Sequence, residues 1–329
     1  MLQLFRKGAV NGMNQVIKSN RKKLLMIVLI FGLLISGCSV FYQENEVESY
    51  VVDSNELLAK GYSFEKVEVR RIFEKEEIFY VNSEKELALL VLKNLENNQF
   101  KTHYLSDEEF SLQRVYLFVE TLLPDSYYLQ AGIIQYNDLF ESDQRTKFVE
   151  VVLDEERYAQ SQEQAQVIID TLDLEDLSVK DQIKKIHDYL VLNTEYDEAL
   201  LELDISEYQN HPSFTPYGLY SLNTAVCSGY ARAFMQLTRI LDIPSIMVSS
   251  QNMNHAWNMV YDGFDWYYLD ATWNDPVPDK ENRVLYTYYM LTHNQFKAKG
   301  HHFFDLPSEQ TLGIEEVMEF VNYAFALND

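Results

Sequence analysis

The sequence predicts a mixed helix-and-strand fold centred on one helix and one hairpin. Three observations predict it. Over 227–241, Tyr230, Ala233, Phe234, Leu237, Ile240 and Leu241 recur at helical spacing, and Pro244 lies just beyond. "HAWNMVY" (255–261) and "WYYLDATW" (266–273) are β-rich runs on either side of "DGFD", a hairpin pattern. Upstream, residues 60–175 mix helical and strand patterns.

Taken in order, the chain opens on a leader. Residues 1–23 carry Arg6, Lys7, Lys18, Arg21, Lys22 and Lys23 and no acid, and 24–35 is an apolar run. That run is too short for a bilayer core of roughly 30 Å but fits a signal-peptide core. Ile35-Ser36-Gly37-Cys38 resembles a bacterial lipobox, in which the cysteine is lipidated and becomes the N-terminus. The expectation is a signal peptide over 1–37, a polar tether over 38–59, and a body held by lipid on Cys38 at the extracytoplasmic face of a bacterial cell membrane.

Residues 60–175 form an N-terminal α/β region of unknown role. Its first helix starts after Ser83, with Glu86 as capping-box partner. A second helix over 107–123 stops at Pro124. Residues 127–136 and 146–153 read as strands, and 164–172 as a helix. His103 stands alone and reads as structural. The second region, 176–329, opens with a helix capped by Ser178. Ile183, Ile186, His187, Leu190 and Val191 fall on its inner face. His187 is expected to be a satisfied core histidine. A polar loop with Pro212 and Pro216 spans 202–216.

Charge excludes one class of partner. The chain has 27 Lys+Arg against 51 Asp+Glu; without the six leader cations it carries 21 against 51, a net of −30. Such a surface repels nucleic acid and anionic headgroups. Membrane attachment is therefore expected through the lipid.

The chemistry concentrates between 227 and 270. There are two cysteines, Cys38 and Cys227, so a lipidated Cys38 leaves Cys227 without a disulfide partner. Cys227 sits in the first turn of its helix, with Asn223 and Thr224 as cap candidates. Unpaired N–H groups there favour an anion and can form an oxyanion hole. Gly229 and Ala231 lack bulk, which lets the helix approach a sheet closely. In the hairpin, a loop centred on 262–265 pairs Tyr261 with Trp266, and by extension Trp257 with Asp270. His255, Trp257 and Asp270 then share a face, with His255 and Asp270 as diagonal neighbours. Cys227 attacks, His255 carries its proton, Asp270 orients the imidazole, and Trp257 shields the pair. Asn258 falls on the opposite face as a structural hydrogen-bonding residue. The hairpin aromatics, Trp257, Trp266, Tyr267, Tyr268 and Trp273, read as core. His301-His302 with Asp305 raises a metal site, but adjacent side chains on one segment point apart and there is no HExxH pattern. No metal and no cofactor are expected.

"AVCSGYARAF", "HAWNMV" and "WYYLDATWND" resemble the three core motifs of the transglutaminase-like superfamily. "IHDYLVLNTEYD" upstream and "YTYYMLTHNQF", followed by His301 or His302, resemble flanking segments of bacterial members, so the likeness covers about 180–305. The resemblance implies that Cys227, His255 and Asp270 are the catalytic residues. It also implies a papain-like α+β core, with the Cys helix packed on an antiparallel sheet. The implied function is cleavage or transfer of acyl groups at peptide or side-chain amides through a thioester, with hydrolysis favoured over cross-linking. The chain lacks the length and the calcium loop of the calcium-dependent cross-linkers. Proteins or peptides, cell-wall peptides among them, are the expected substrates. The alternative is a non-catalytic peptide-binding or scaffold module at the cell envelope, linked to division or wall.

Overall fold

A computed structural model describes residues 48–53, 63–70, 75–134, 146–202, 211–250, 252–275, 277–278, 282–301 and 312–325. The leader, Cys38, most of the tether, His302 and Asp305 lie outside the described residues. The chain divides into two compact units, Met1–Glu48 with Val69–Glu76, and Ser49–Glu68 with Glu77–Asp329. The second unit holds the helices, the hairpin and the site. No helix among the described residues is long and apolar enough to cross a membrane.

Two sheets carry the structure. The larger has the order β1-β2-β3-β4-β6-β5. Its strands are β1 (Glu48–Asp53), β2 (Ser63–Arg70), β3 (Lys75–Tyr80), β4 (Lys101–Leu105), β5 (Tyr128–Ile134) and β6 (Thr146–Val152). β5 and β6 are the two strands expected upstream, paired antiparallel from Tyr128↔Val152 to Ile134↔Thr146. The smaller sheet is antiparallel, β11-β10-β9, formed by β9 (Ser245–Ser250), β10 (His255–Tyr261) and β11 (Trp266–Leu269). A two-residue parallel pair joins β7 (Glu195–Tyr196) to β8 (Thr224–Ala225).

Several helices start where a side chain caps them. Ser83 accepts from the Glu86 amide at the start of α1 (Glu84–Glu96). The Glu86 carboxylate bonds the Asn82 amide at 2.7 Å, one residue upstream of the reciprocal bond expected. α2 (Leu112–Leu122) begins five residues later than its apolar run suggests, because Ser111 caps it, and it ends before Pro124. α3 (Glu155–Thr171) starts earlier than expected, at an Asp154 cap. Its first two turns are polar and mostly exposed, so they carry no apolar period. α4 (Val179–Leu192) follows the sequence reading, with Ser178 as cap and Ile183, Ile186, His187, Leu190 and Val191 buried. The polar loop hides a 3-10 turn (Pro212–Phe214) and α5 (Pro216–Leu222), each with proline at its start.

α6 (Cys227–Ile240) lies against the small sheet. The Asn258 side chain donates to the carbonyls of Ala231 (2.9 Å) and Ile246 (3.1 Å), tying helix to strands. Ala256 and Val260 pack on the α6 side, with Ala231, Met235, Phe234 and Leu237. Trp257 and Met259 join a separate core with Leu87, Leu90, Phe118 and Val119 from α1 and α2. Phe320 of α9 (Ile314–Ala324) completes that core, its ring 4.9 Å from Phe118. The helical spacing of apolar residues over 227–241 suggests one buried face on α6, yet every residue from Gly229 to Thr238 is buried. α3 and α5 cover the remaining sides, through Gln236 to Ser161 (3.1 Å) and Tyr220 to the Ala233 carbonyl (3.0 Å). Arg232 is buried too, bonded to the Phe214 carbonyl (2.9 Å) and Glu120 (3.3 Å).

Gly229 permits a close approach, but to a different element from the one expected. A Cβ there would lie 2.3 Å from the Ser213 carbonyl oxygen and 3.0 Å from the Ala225 Cβ. The neighbour is the 3-10 turn, not the sheet. Because the obstacle is backbone, Gly229→Ala is expected to destabilise the fold by roughly 1–3 kcal/mol, an overpacking cost. Urea unfolding checks this, and a midpoint equal to wild type would contradict it.

Candidate active site

Cys227 is the first residue of α6 and a free, half-buried thiol. The helix cap is Val226, which makes no side-chain cap hydrogen bond. Neither expected cap residue serves: Asn223 closes α5 in the left-handed conformation (φ 56°), and Thr224 is already in β8. The turn between α5 and β8 takes Asn223, and the β7–β8 pair takes Thr224. The first-turn amides of α6 are thus left without a side-chain cap, the condition for binding a developing anion. The segment before Cys227 is held from two sides. The Val226 amide donates to the Ser213 carbonyl (2.9 Å), and the Glu195 and Asp197 amides donate to Asn223 (2.8 Å) and Ala225 (3.0 Å).

His255 opens β10 and is nearly buried at 9% exposure. The register from Tyr261↔Trp266 to Asn258↔Leu269 is the one the four-residue loop predicts. β11 stops at Leu269, however. Asp270 does not close a strand; it caps the short helix α7 (Ala271–Asn274), its Oδ1 accepting from the Trp273 amide at 2.9 Å. Capping turns Oδ2 toward His255, whose Nε2 lies 2.7 Å away. A carboxylate only accepts, so Nε2 is assigned the proton. Nδ1 is left for Cys227, whose side chain is within hydrogen-bonding reach of His255. The structure therefore brings the Cys227, His255 and Asp270 side chains together.

Burial opposes charge on His255, but the hydrogen bonds to Asp270 and Cys227 outweigh it, and the imidazole is pushed up to about 9. Burial likewise works against an ionised Asp270, which has no exposed surface. Hydrogen bonds from His255 and from His301 hold its carboxyl below the usual range nonetheless. Tyr196 of β7, beside Cys227 and Asp270, is pushed up to about 12 by burial and by those negative neighbours.

Two tryptophans flank the imidazole. Trp257, 1% exposed, lies 5.7 Å from it on the core side. Trp273, 37% exposed, stacks on it at 5.0 Å and 19°. The shielding expected of Trp257 is shared, and the solvent side belongs to Trp273, a residue read from sequence as core.

His301 is the residue that sequence reasoning misplaced. Grouped with His302 and Asp305 as a weak metal pattern, it lies fully buried with Nε2 2.9 Å from Asp270 Oδ2. The hydrogen bonds between Tyr268 and Leu291 (2.8 and 2.9 Å) dock the following segment on β11. The capping box of α8 (His293–Ala298) then steers the chain back to the site. Nothing periodic links positions 270 and 301; the hints are the surrounding aromatics and the likeness of the segment before His301 to bacterial members of the family. Ligand atoms of His255, Asp270 and His301 lie within 4.8 Å of one another, the one such cluster among the described residues. Mutual hydrogen bonds already occupy them.

His187 and His103 make no hydrogen bond to this set among the described residues. His187 is fully buried, with Nδ1 3.0 Å from Asp188 and Nε2 3.0 Å from the Asn274 amide, a satisfied core histidine. His103 lies in β4, near the Phe148 ring at 6.4 Å.

The raised His255 has a consequence for pH. Its folded value exceeds the ordinary 6.5, so its contribution to stability is complete below 6.5 and is lost as pH rises through about 9. NMR titration of the His255 ring is expected to show a midpoint near 9. In Asp270→Asn the midpoint should fall by several units, because burial is then less opposed. A wild-type midpoint at 6.5 would contradict the geometry.

Residues 136–271, which include Cys227, His255 and Asp270, match the family model described as the transglutaminase-like superfamily. Kyphoscoliosis peptidase of Mus musculus and that of Homo sapiens are 22% and 23% identical to this chain over 139 residues, 37% of this chain and 20% of theirs. The chain thus spans about a fifth of the length of the curated relatives it matches. Among solved structures, one titled as a TGase aligns at 15% identity and TM-score 0.33, covering 59% of this chain and 56% of that one. A Cytophaga hutchinsonii structure assigned as a cysteine protease aligns at 18% and 0.27, covering 47% and 67%. The stretch 136–271, which carries the assembled Cys, His and Asp side chains, is thus similar to the transglutaminase-like superfamily.

Proposed function

We propose that the protein is a thiol enzyme that cleaves or transfers acyl groups at peptide or side-chain amides, with Cys227, His255 and Asp270 as its catalytic residues. One observation carries this reading: His255 bridges a free thiol at a helix start and a fully buried carboxylate. An imidazolium held beside the thiol favours the thiolate. The Cys227 sulfur attacks the amide carbonyl, and the first-turn amides of α6 receive the oxyanion. His255 delivers its proton to the leaving nitrogen, which departs as amine or ammonia. Water, deprotonated by His255, then attacks the thioester and releases the acid; an amine in its place gives transfer. Water needs no second binding site, which favours hydrolysis.

The location follows from the leader. Lipid on Cys38 would hold the body on the extracytoplasmic face of the membrane, with 38–59 as tether. Proteins and peptides there, cell-wall peptides included, are then the substrates. The acidic surface supports attachment through lipid rather than through protein charge.

The test is iodoacetamide alkylation of Cys227, followed by mass spectrometry, in wild type and His255→Ala. The wild-type rate is expected to persist below pH 7 and to fall by at least tenfold in the variant, the scale of a lost general base. A rate that rises only near the ordinary thiol value of about 8.5 in both proteins would support the non-catalytic peptide-binding module instead.

A further inference from the structure

Asp270 accepts from two histidines, and the thiol chemistry uses one of them. His255 and His301 reach the same oxygen, Oδ2, at 2.7 and 2.9 Å. His301 has no exposed surface. Its Nε2 must carry the proton, because the carboxylate only accepts. Its Nδ1 has no hydrogen-bond partner among the described residues. The ring is packed among Phe296 (3.8 Å), Trp273 (4.3 Å), Trp257 (5.0 Å) and Tyr288 (5.1 Å). A buried imidazole in an aromatic pocket loses free energy unless it is bonded. Among the described residues Asp270 is its one hydrogen-bond partner, so the pocket presses the two together.

We propose that His301 is a positioning residue, which shares Oδ2 of Asp270 with His255, fixes the carboxylate's rotamer and keeps it ionised. The proposal rests on the reading of Cys227, His255 and Asp270 as the catalytic set. Its physical basis is the carboxylate's isolation. With three donors, from His255, His301 and the Trp273 amide, a fully buried carboxylate is satisfied; with two it is a donor short. The other titratable groups facing it supply no replacement. Tyr196 from β7 stays neutral, and its own value is raised by burial and nearby negative charge. His187 from α4 is pushed down by burial. Cys227 from α6 pairs with His255 instead. Without His301, Asp270 takes up a proton at higher pH, His255 loses its charge partner, and thiol reactivity is lost from the acid side.

Alkylation of Cys227 by iodoacetamide is measured on the full chain from about pH 4 to about pH 9 in wild type, His301→Phe and His301→Gln, with thermal melts of each. His301→Phe is expected to match wild type at the alkaline end. Its acid limb should move up by about one unit, about a tenfold loss of rate on that limb. His301→Gln, whose amide can donate, should recover most of the loss. A purely structural role would slow alkylation alike at all pH values, or lower the melting temperature without moving the limb. A His301→Phe limb that superimposes on wild type overturns the proposal.

If His301→Phe does not fold, proton–nitrogen NMR of the wild-type histidines decides. A slowly exchanging Nε2–H on His301 is expected, and its absence overturns the proposal. A wild type with no reactivity below pH 7 would sink the thiol-enzyme reading itself, while the NMR signal still reports the His301–Asp270 bond.

Discussion

Burying a negative charge is the constraint on which this site depends. Asp270 has no exposed surface, and an ionised carboxylate in such a place is costly unless donors surround it. Its donors come from three places. His255 Nε2 is on β10, the Trp273 amide is in α7, and His301 Nε2 lies beyond α8. Each must arrive at the right height for Asp270 to stay charged, and a charged Asp270 raises His255. Much of the C-terminal architecture serves that convergence. The hairpin register brings His255 to Asp270, the α7 cap turns the carboxylate, and the Tyr268–Leu291 bonds dock the segment that returns with His301.

The thiol is placed by packing. α6 is buried on all sides through 229–238, so its N-terminus is fixed by the cores around it. Gly229 against the Ser213 carbonyl and the β7–β8 pair complete the clamp just upstream of Cys227. The region before 153 contributes as well. Leu87, Leu90, Phe118 and Val119 share a core with Trp257 and Met259, so α1 and α2 brace the strand that carries His255.

Local patterns were legible in the sequence wherever the physics is local. The α4 face, the Ser83 and Ser178 caps, the strands β5 and β6 and the hairpin register all follow from spacing and turn chemistry. The order Cys227, His255, Asp270 was readable because two of the three sit on one hairpin. What escaped is long-range or turns on competition for a residue. Asn223 and Thr224 suit helix capping, yet the preceding helix end and a two-residue strand claim them. Asp270 lies in a strand-like run, but its capping of α7 ends the strand one residue sooner. α6 carries an amphipathic spacing although it is central, because Arg232, Gln236 and Thr238 are buried, each making at least one specific bond there. His301 is joined to Asp270 by tertiary folding alone.

A thiol enzyme of this kind passes through a covalent acyl intermediate on Cys227, and intact mass spectrometry of acid-quenched protein can capture it. The protein would be mixed with a glutamine-containing peptide pool and quenched within the first turnover. An adduct on Cys227 is expected, equal in mass to the peptide less ammonia or to its acyl fragment, and removed by hydroxylamine. A thiol that alkylates readily at low pH yet never acquires such an adduct from any peptide would contradict it.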